Sequence, residues 1–270
     1  MAAEGSGGVQ SVHLAIDVLE AVAFSDDELG VTQIADRLKV TKGSVHRHLT
    51  TMVERGYLSQ NPATSRYTIG PKSRLLARLS PDADLVKVAE GPMRELRDAL
   101  GQTAVLSEMT PRGAMVLVTL PGTSPIEIGV RPGSELPFYN SAQGKVLLAY
   151  APRPFQMRML RGPFEKVTSK TVVAPDRLDK SLQEIVKRGY GAAPEESMLG
   201  INAVAVPIFD SNDACVAALA VVGSIQYLPE KAKPGDIAAL MHAAEQISRK
   251  LGHGSGAPFA NARHRSQSGR

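Results

Sequence analysis

The sequence predicts an α+β protein with an N-terminal winged helix-turn-helix and a second domain built on a central antiparallel sheet. In the first 80 residues, three segments carry apolar side chains at helical spacing, and two β-branched runs follow them. Beyond residue 100, short β-branched runs alternate with turns and longer helices, as in α+β domains. With 270 residues, 43% of them hydrophobic, the chain is long enough for two cores.

Three helices are predicted at the N-terminus. The second helix is short, with Thr32 as its expected N-cap, and a tight turn at residues 39–40 follows it. Thr41 is expected to cap the third helix, which ends near Gly56. Two short helices joined by such a turn form a helix-turn-helix. We expect the first helix to bury Val12, Ala15, Ile16, Leu19, Val22 and Ala23.

The third helix has an apolar stripe and a polar face. The stripe, formed by Val45, Leu49, Met52 and Val53, must pack on the first two helices. The remaining face carries hydroxyl, imidazole and guanidinium groups, which are the types of side chain that read base edges and phosphates. His46 and His48 lie on the two flanks of this face, and Lys42 lies at the N-terminal tip of the helix. The residues directly opposite the stripe are Gly43, Ser44, Arg47, Thr50 and Thr51.

Two short strands follow the third helix and form a hairpin wing. They span residues 57–60 and 66–69 around a turn at 61–65, with Tyr67 and Ile69 inward and Arg66 and Thr68 outward.

Charge is sharply segregated in the same region. Residues 1–36 contain seven carboxylates and no lysine or arginine, whereas residues 37–78 contain nine basic side chains and one acid. A basic block attracts a polyanion because neutralised phosphates release counterions. A solvated charged face is the alternative, and the coincidence of the block with a winged helix favours DNA binding.

The second domain is predicted from alternating strand and helix patterns. A linker helix at residues 70–82 precedes it, and Pro92 either kinks its first helix or starts a second segment. The expected strands are 103–109, 114–120, 126–130, 202–209 and 215–222, and the expected helices are 84–100, 141–149, 178–188 and 234–251.

Motifs along most of the chain resemble those of the IclR-type transcriptional regulators. In the winged helix they are VTQIADRL at 31–38, KGSVHR at 42–47, GYL at 56–58 and YTIG at 67–70. Further along they are GSELP at 133–137, SAQGKVLLA at 141–149, RGY at 188–190, EE at 195–196, Gly200, AVPIFD at 205–210 and ISRKLG at 247–252. The family usually has Ser-Thr at residues 43–44 and Leu at 48, so operator sequence should not be transferred from relatives.

The resemblance implies a GAF-like second domain that holds a small molecule, often a carboxylate or aromatic metabolite. In the family, ligands sit between the sheet and the loops above it, and the helix starting at Ser141 offers N–H groups to an anion. Ordinary core packing is the alternative for each position. The expected effector-site residues are Leu120, Ile128, Phe138, Asn140, Ser141, Ala142, Gly144, Glu196, Ala203, Ala205, Ala220 and Val222.

No catalytic constellation, cofactor motif or metal site is evident, so we expect no enzyme activity, cofactor or metal. Gly144-Lys145 lacks the glycine and hydroxyl residue of a phosphate loop, and Cys215 has no histidine nearby in sequence. Adjacent Glu195 and Glu196 are expected to diverge rather than act as an acid/base pair. The N-terminus lacks the features of a secretory signal and no membrane span is evident, so a cytoplasmic location is expected.

The sequence therefore predicts a DNA-binding transcriptional regulator whose operator affinity depends on a small metabolite. Its domains are a winged helix at 9–69, the linker helix at 70–82, an effector-binding and oligomerising domain at 83–252, and a disordered tail at 253–270. The expected partners are a pseudo-palindromic double-stranded operator, a small-molecule effector and further copies of the chain, as a homodimer or dimer of dimers. A ligand-independent DNA-binding repressor and a metabolite-processing enzyme with a DNA module are the alternatives. The expected DNA contacts are Thr32, Thr41, Lys42, Ser44, His46, Arg47, His48 and Arg66.

Overall fold

The computed structural model describes residues 8–25, 27–79 and 83–254, except for the side chains of residues 78, 83 and 84. It divides into two compact units at Ala83/Asp84. The first unit holds helices and a two-stranded sheet, and the second holds helices and a six-stranded sheet. The α+β class predicted from the sequence is confirmed. No helix in the described ranges is long and apolar enough to span a bilayer.

Three helices build the core of the first unit: α1 (Gln10–Ala23), α2 (Val31–Leu38) and α3 (Lys42–Glu54). The burial expected for α1 is partly wrong, since Val12 is 53% and Ile16 is 46% exposed. The helix is apolar around much of its circumference, and only the face turned toward α2 and α3 is covered. The buried residues of the three helices are Val18, Ala21, Val22, Ile34, Ala35, Val45 and Leu49.

Two different caps begin α2 and α3. The N-cap of α2 is Gly30 rather than the expected Thr32, and Gln33 Oε1 accepts a hydrogen bond from the Gly30 N–H at 3.0 Å. The cap of α3 is as predicted, because Thr41 Oγ1 accepts from the Ser44 N–H at 3.3 Å. Between them Lys39 adopts a left-handed conformation, with φ of 54°. This residue makes the tight turn of the helix-turn-helix.

The wing consists of β1 (Leu58–Gln60) and β2 (Tyr67–Ile69), paired antiparallel with Ser59 opposite Thr68. Tyr67 is buried, whereas Arg66 and Thr68 are exposed, as the alternation predicts. Helix α4 (Pro71–Leu79) follows directly and is tied to the wing, since the Ser73 hydroxyl donates to the Tyr57 carbonyl at 2.8 Å. The linker helix therefore packs within the first unit over its described part; residues 80–82 lie outside the described residues.

The second unit is organised around a six-stranded antiparallel sheet in the order β5-β4-β3-β8-β7-β6. Its central strands β3, β4, β7 and β8 match the predicted runs closely. The strands are β3 (Thr103–Met109), β4 (Gly113–Leu120), β5 (Glu135–Pro137), β6 (Gly191–Ala192), β7 (Ile201–Phe209) and β8 (Cys215–Ser224).

Each helix predicted for the second unit is present, and one short helix, α7, was not predicted. Helix α5 continues through Pro92 without a break. The bounds are α5 (Ala83–Leu100), α6 (Ala142–Tyr150), α7 (Arg153–Met159), α8 (Pro175–Arg188) and α9 (Pro234–Lys250).

The strand expected at residues 126–130 is wrong. This segment is irregular, and the edge strand next to β4 is Glu135–Pro137 instead. Thr103 Oγ1 donates to the Ile128 carbonyl, and Thr119 Oγ1 donates to the Val130 carbonyl. Side-chain hydroxyls thus satisfy carbonyls that a strand would direct to a neighbouring strand.

Each face of the sheet has its own core. On one face, Val206 and Leu219 contribute to a cluster with Met93 of α5 and Leu240 of α9. On the other, Ala205, Ala218 and Ala220 contribute to a cluster with α6 and α8. Every residue of α6 from Ala142 to Ala149 is buried.

The chain beyond α9 begins in packed structure. His253 stacks on the Phe209 ring at 5.3 Å between centroids, with Nδ1 3.1 Å from an Asp213 carboxylate oxygen. The rest of the predicted disordered tail, from residue 255 onward, lies outside the described residues.

Candidate DNA-binding surface and effector site

The outward face of α3 carries most of the predicted DNA contacts. Thr41, Lys42, His46 and Arg47 are exposed, and Ser44 is half-buried. His48 is also half-buried and lies at the edge of this face, as its flanking position predicts. The structure therefore brings six of the eight predicted residues together on the first two turns of one helix and its cap.

The cations on this face are free of internal neutralisation. Among the described residues, no ion pair involves Lys42 or Arg47. The Thr50 and Thr51 hydroxyls instead donate to backbone carbonyls one turn earlier, at 2.9 and 3.1 Å. The guanidinium and ammonium groups thus remain available for an external anion, while the threonine hydroxyls are committed to the helix.

The other two predicted residues lie outside α3. Thr32 is exposed in the first turn of α2. Arg66 is exposed at the start of β2, but its Nη1 donates to the Glu28 carbonyl at 2.9 Å. Since a guanidinium has five N–H donors, this bond leaves others for an outside partner. It also fixes where the side chain points, which the sequence did not reveal.

The N-terminus of α6 is buried and internally bonded. Ser141 Oγ accepts from the Gly144 N–H at 3.0 Å and donates to the Pro137 carbonyl at 2.6 Å. A Cβ atom on Gly144 would lie 2.4 Å from the Pro137 oxygen, so the close approach requires glycine. The Ser141 hydroxyl is thus already used, so a ligand at this turn would have to bind other groups.

Two buried polar atoms beside this helix end have no hydrogen-bond partner within the described part of the chain. They are Asn140 Oδ1 and Gln143 Nε2, on side chains that are 3% and 1% exposed. A buried amide without a partner is costly, and a bound polar ligand or water removes that cost. Gln143 was not predicted as a site residue.

A buried ion pair lies one turn further along α6. Lys145 Nζ donates to Glu196 Oε1, and both residues are at most 5% exposed. Burial lowers the pKa of the Lys145 amino group, against the opposing effect of Glu196. Nearby, the Ser197 hydroxyl donates to the Asn140 carbonyl at 2.6 Å. The segment after β6 is therefore fastened to the start of α6, and Glu196 pairs within the protein.

The apolar members of the predicted effector site fall into separate groups. Ile128, Ala203 and Val222 belong to one cluster on the α6 face of the sheet. A second cluster on that face contains Phe138, Ala142, Ala205 and Ala220.

The prediction that Leu120 belongs to the effector site is wrong. It packs with the α5 and α9 core on the opposite face. The cause is an irregularity between Leu106 and Ser107, where the β3–β4 register shifts by one residue. Such a shift moves the following side chains of β4 to the other face.

A cavity of about 320 Å³ lies at the end of β3 and β8. Of the predicted effector residues it contacts Ile128 and Val222, and its polar lining comes from hydroxyl and amide side chains such as Gln102, Thr103 and Tyr227. Two of the predicted apolar residues therefore line a cavity, whereas residues 140–144 do not line it.

Reactive and metal-binding groups are not assembled in the described ranges. Burial raises the pKa of the Cys215 thiol to about 12, which keeps it protonated and unreactive. No group of three or more potential metal ligands occurs among these residues.

A winged helix-turn-helix with an exposed cationic helix, followed by a sheet domain, defines a DNA-binding transcriptional regulator. Residues 11–62 match the IclR helix-turn-helix domain, and residues 78–249 match the bacterial transcriptional regulator IclR C-terminal domain. The chain therefore belongs to the IclR family, and the resemblance seen in its motifs is confirmed.

Individual relatives cover nearly the whole chain. The HTH-type transcriptional regulator KdgR of Escherichia coli K12 is 29% identical, over 91% of this chain and 94% of KdgR. BhcR of Paracoccus denitrificans is 31% identical, over 92% of this chain and 89% of BhcR. These relatives are transcriptional regulators and not enzymes, in agreement with the prediction.

Solved structures of the same family share the fold. The IclR regulator from Alicyclobacillus acidocaldarius has a TM-score of 0.70 at 26% identity, over 91% of this chain and 98% of that one. An IclR homolog from Microbacterium hydrocarbonoxydans in complex with 4-hydroxybenzoate has a TM-score of 0.75 at 24% identity, over 90% of this chain and 99% of that one.

Proposed function

We propose that this regulator binds a pseudo-palindromic operator through α3 and the wing, and that a small carboxylate or aromatic metabolite modulates its operator affinity. The observation that carries the DNA-binding surface is the exposed α3 face, on which Lys42 and Arg47 have no ion-pair partner among the described residues. The free N–H groups at the start of α3 add a site for a phosphate. The proposed contacts are Thr32, Thr41, Lys42, Ser44, His46, Arg47, His48 and Arg66.

A second copy of the chain is part of the proposal, because one winged helix contacts few bases. The uncovered stripe of α1 supports a self-association surface, since Val9, Val12 and Ile16 are spaced along one face and are 64%, 53% and 46% exposed. Ile16→Glu is expected to shift the protein toward monomer in sedimentation velocity, whereas Asp17→Asn should not. An unchanged assembly would contradict this surface.

The effector is proposed to bind on the α6 face of the sheet. The buried, unpartnered Asn140 Oδ1 and Gln143 Nε2 support a polar end, and the cluster containing Ile128, Ala203 and Val222 supports an apolar end. A carboxylate can accept from Gln143 Nε2, and an aromatic ring fits the apolar end. Asn140 Oδ1 is an acceptor, so it requires a donor such as a hydroxyl group or a water molecule. The homologue that binds 4-hydroxybenzoate makes that acid a reasonable first probe. A ligand-independent repressor remains the alternative.

DNA binding is tested with labelled duplexes from the protein's own upstream region and a random duplex of equal length. Fluorescence anisotropy at fixed salt should show a clear preference for an upstream fragment, because base contacts add to the phosphate contacts common to both. Equal affinity for every upstream fragment and the random duplex, with or without metabolites, would overturn the operator proposal.

Effector binding is tested by thermal shift with 4-hydroxybenzoate and a series of aliphatic and aromatic acids. Ala203→Leu adds bulk to the proposed apolar end of the effector site and should abolish any shift, whereas Val221→Leu, on the opposite face of the sheet, should preserve it. Any acid that shifts the midpoint should also change operator affinity, since a ligand acts through its different affinity for two states. A series without shifts would favour the ligand-independent alternative.

A further inference from the structure

An acidic residue holds the wing to the helical core. Glu28 lies between α1 and α2, and its carboxylate oxygens accept hydrogen bonds from Asn61 Nδ2 at 3.1 and 3.2 Å. One of them also accepts from Thr64 Oγ1 at 3.0 Å. The Glu28 backbone carbonyl accepts from Arg66 Nη1 at 2.9 Å. A single residue therefore contacts both ends and the middle of the wing turn.

The wing needs such support because its own strands are short. β1 and β2 pair over three residues each, and an isolated two-stranded hairpin is marginally stable at best. Within the turn, the Asn61 side chain also accepts from the Ala63 N–H at 3.0 Å. Next to Glu28, Leu29 and Tyr67 exchange two backbone hydrogen bonds, at 2.8 and 3.3 Å. The Glu28 contacts extend this connection from β2 to the tip of the wing.

We propose that Glu28 is a positioning residue for DNA recognition: it holds the wing turn and the Arg66 guanidinium where they meet the duplex. The inference rests on the proposed operator binding and adds a residue that no charge argument selects. A carboxylate near a DNA surface repels phosphates, so electrostatics alone predicts that its removal strengthens binding. Positioning predicts the opposite for the operator.

The neighbouring Asp27 offers a matched control. It carries the same charge, is exposed, and forms no hydrogen bond or ion pair within the described part of the chain. Asp27→Ala therefore removes one negative charge without touching the wing. Any difference between this variant and Glu28→Ala reports the side-chain hydrogen bonds to Asn61 and Thr64 and not the charge, because the Glu28 backbone carbonyl that accepts from Arg66 is present in both variants.

The experiment measures affinity for the operator and for a random duplex by fluorescence anisotropy, using full-length protein. For Glu28→Ala we expect operator affinity to fall about tenfold, as for loss of one specific contact, while random-duplex affinity stays level or rises. Asp27→Ala should leave operator affinity level or raised. Glu28→Gln keeps one acceptor oxygen and should recover part of the loss, a rescue that a purely electrostatic role would not produce.

A second variant tests the same contact in case Glu28→Ala impairs folding. Thr64→Val removes the hydrogen bond to Glu28 and also the acceptor of the Arg66 N–H, 3.3 Å away, from an exposed side chain. The fold should persist, as its thermal midpoint would show. We expect it to lower operator affinity in the same direction as Glu28→Ala and to weaken hydroxyl-radical protection at the wing-contacted edge of the operator.

Three results would overturn the inference. Glu28→Ala could match Asp27→Ala on both duplexes, or Thr64→Val could leave both affinity and footprint unchanged. Third, wild-type protein could fail to distinguish the operator from random duplex, which would reject both the operator proposal and the role of Glu28. The first two results would reject the role of Glu28 alone.

Discussion

Helices α3 and α6 begin with the same kind of N-cap hydrogen bond but lie in opposite environments. In each, a hydroxyl residue accepts from the N–H three positions later, Thr41 from Ser44 and Ser141 from Gly144. The first turns of α3 are largely exposed, whereas α6 is buried from Ala142 to Ala149. A cap therefore marks where a helix starts, but tertiary packing decides whether an outside ligand can reach that start.

The lysines of the two helices differ in the same way. Lys42 lies exposed at the start of α3 without an ion-pair partner among the described residues, whereas Lys145 is buried and paired with Glu196. An exposed cation keeps its hydration until it meets a phosphate, but a buried one must be neutralised inside the protein. The first can serve recognition, and the second serves the arrangement of the fold.

The largest effect is expected at the buried pair. Lys145→Met leaves the Glu196 carboxylate buried without its partner, which should reduce the free energy of unfolding by about 3–5 kcal/mol. Urea denaturation of the second unit's transition measures this loss. Lys180→Met, on the exposed face of α8, is the control and should change stability by less than about 0.5 kcal/mol.

The double variant Lys145→Met/Glu196→Leu sharpens the same comparison. Replacing both charges by apolar groups removes the unpaired carboxylate, so most of the lost stability should return. If the double variant were as unstable as Lys145→Met, packing of the lysine stem and not charge pairing would explain the loss.

A smaller difference should separate the two caps. Ser141→Ala removes a buried cap and also takes the Ser141 donor from the Pro137 carbonyl, at a cost of about 2 kcal/mol. Thr41→Ala removes only an exposed cap and should cost about 1 kcal/mol. Both values come from denaturant unfolding of the full chain. Equal losses would mean that burial does not change what these caps contribute.

On the exposed side, Arg47→Ala should affect binding and not folding. We expect operator affinity to fall by about 1–3 kcal/mol, with little change for a random duplex, because the proposed contact is to base edges. The thermal midpoint should stay close to that of the wild type. An equal loss on both duplexes would reassign Arg47 to the phosphates.

Lys42→Ala should have the smallest and least sequence-dependent effect. Loss of one phosphate contact should weaken binding to all duplexes and reduce the slope of log affinity against log salt by about one. Anisotropy across a salt series measures that slope. An unchanged slope together with unchanged affinity would contradict the placement of the α3 N-terminus at the DNA backbone.

Much of the fold followed from local patterns. The apolar stripe of α3 and the alternation in β2 predicted which side chains face inward, and the β3–β4 hairpin was expected within one residue of its bounds. The sequence did not predict β5 and β6, because two or three residues carry too little periodicity to identify a strand unless a turn joins them to a neighbouring strand, as in β1 and β2. Their hydrogen bonds come from neighbours supplied by the fold.

The candidate sites divide along the same line. The cationic face of α3 was readable because it needs only one helix and its period. The pairing of Lys145 with Glu196 could not be predicted, since the two residues lie 51 positions apart and meet only when the segment after β6 packs on α6. The contacts of Glu28 could not be predicted from the sequence either, because its partners in the wing are 33 to 38 residues away.

By itself the sequence determined the family, the order of domains and the outward face of α3, since motif, composition and helical period are local properties. Only the tertiary structure decided which polar groups are buried together and which face of the sheet each side chain occupies. Leu120 shows why: one extra residue in the β3–β4 register reverses the direction of the side chains that follow it. That shift is set by how strands pair, and neither strand carries it alone.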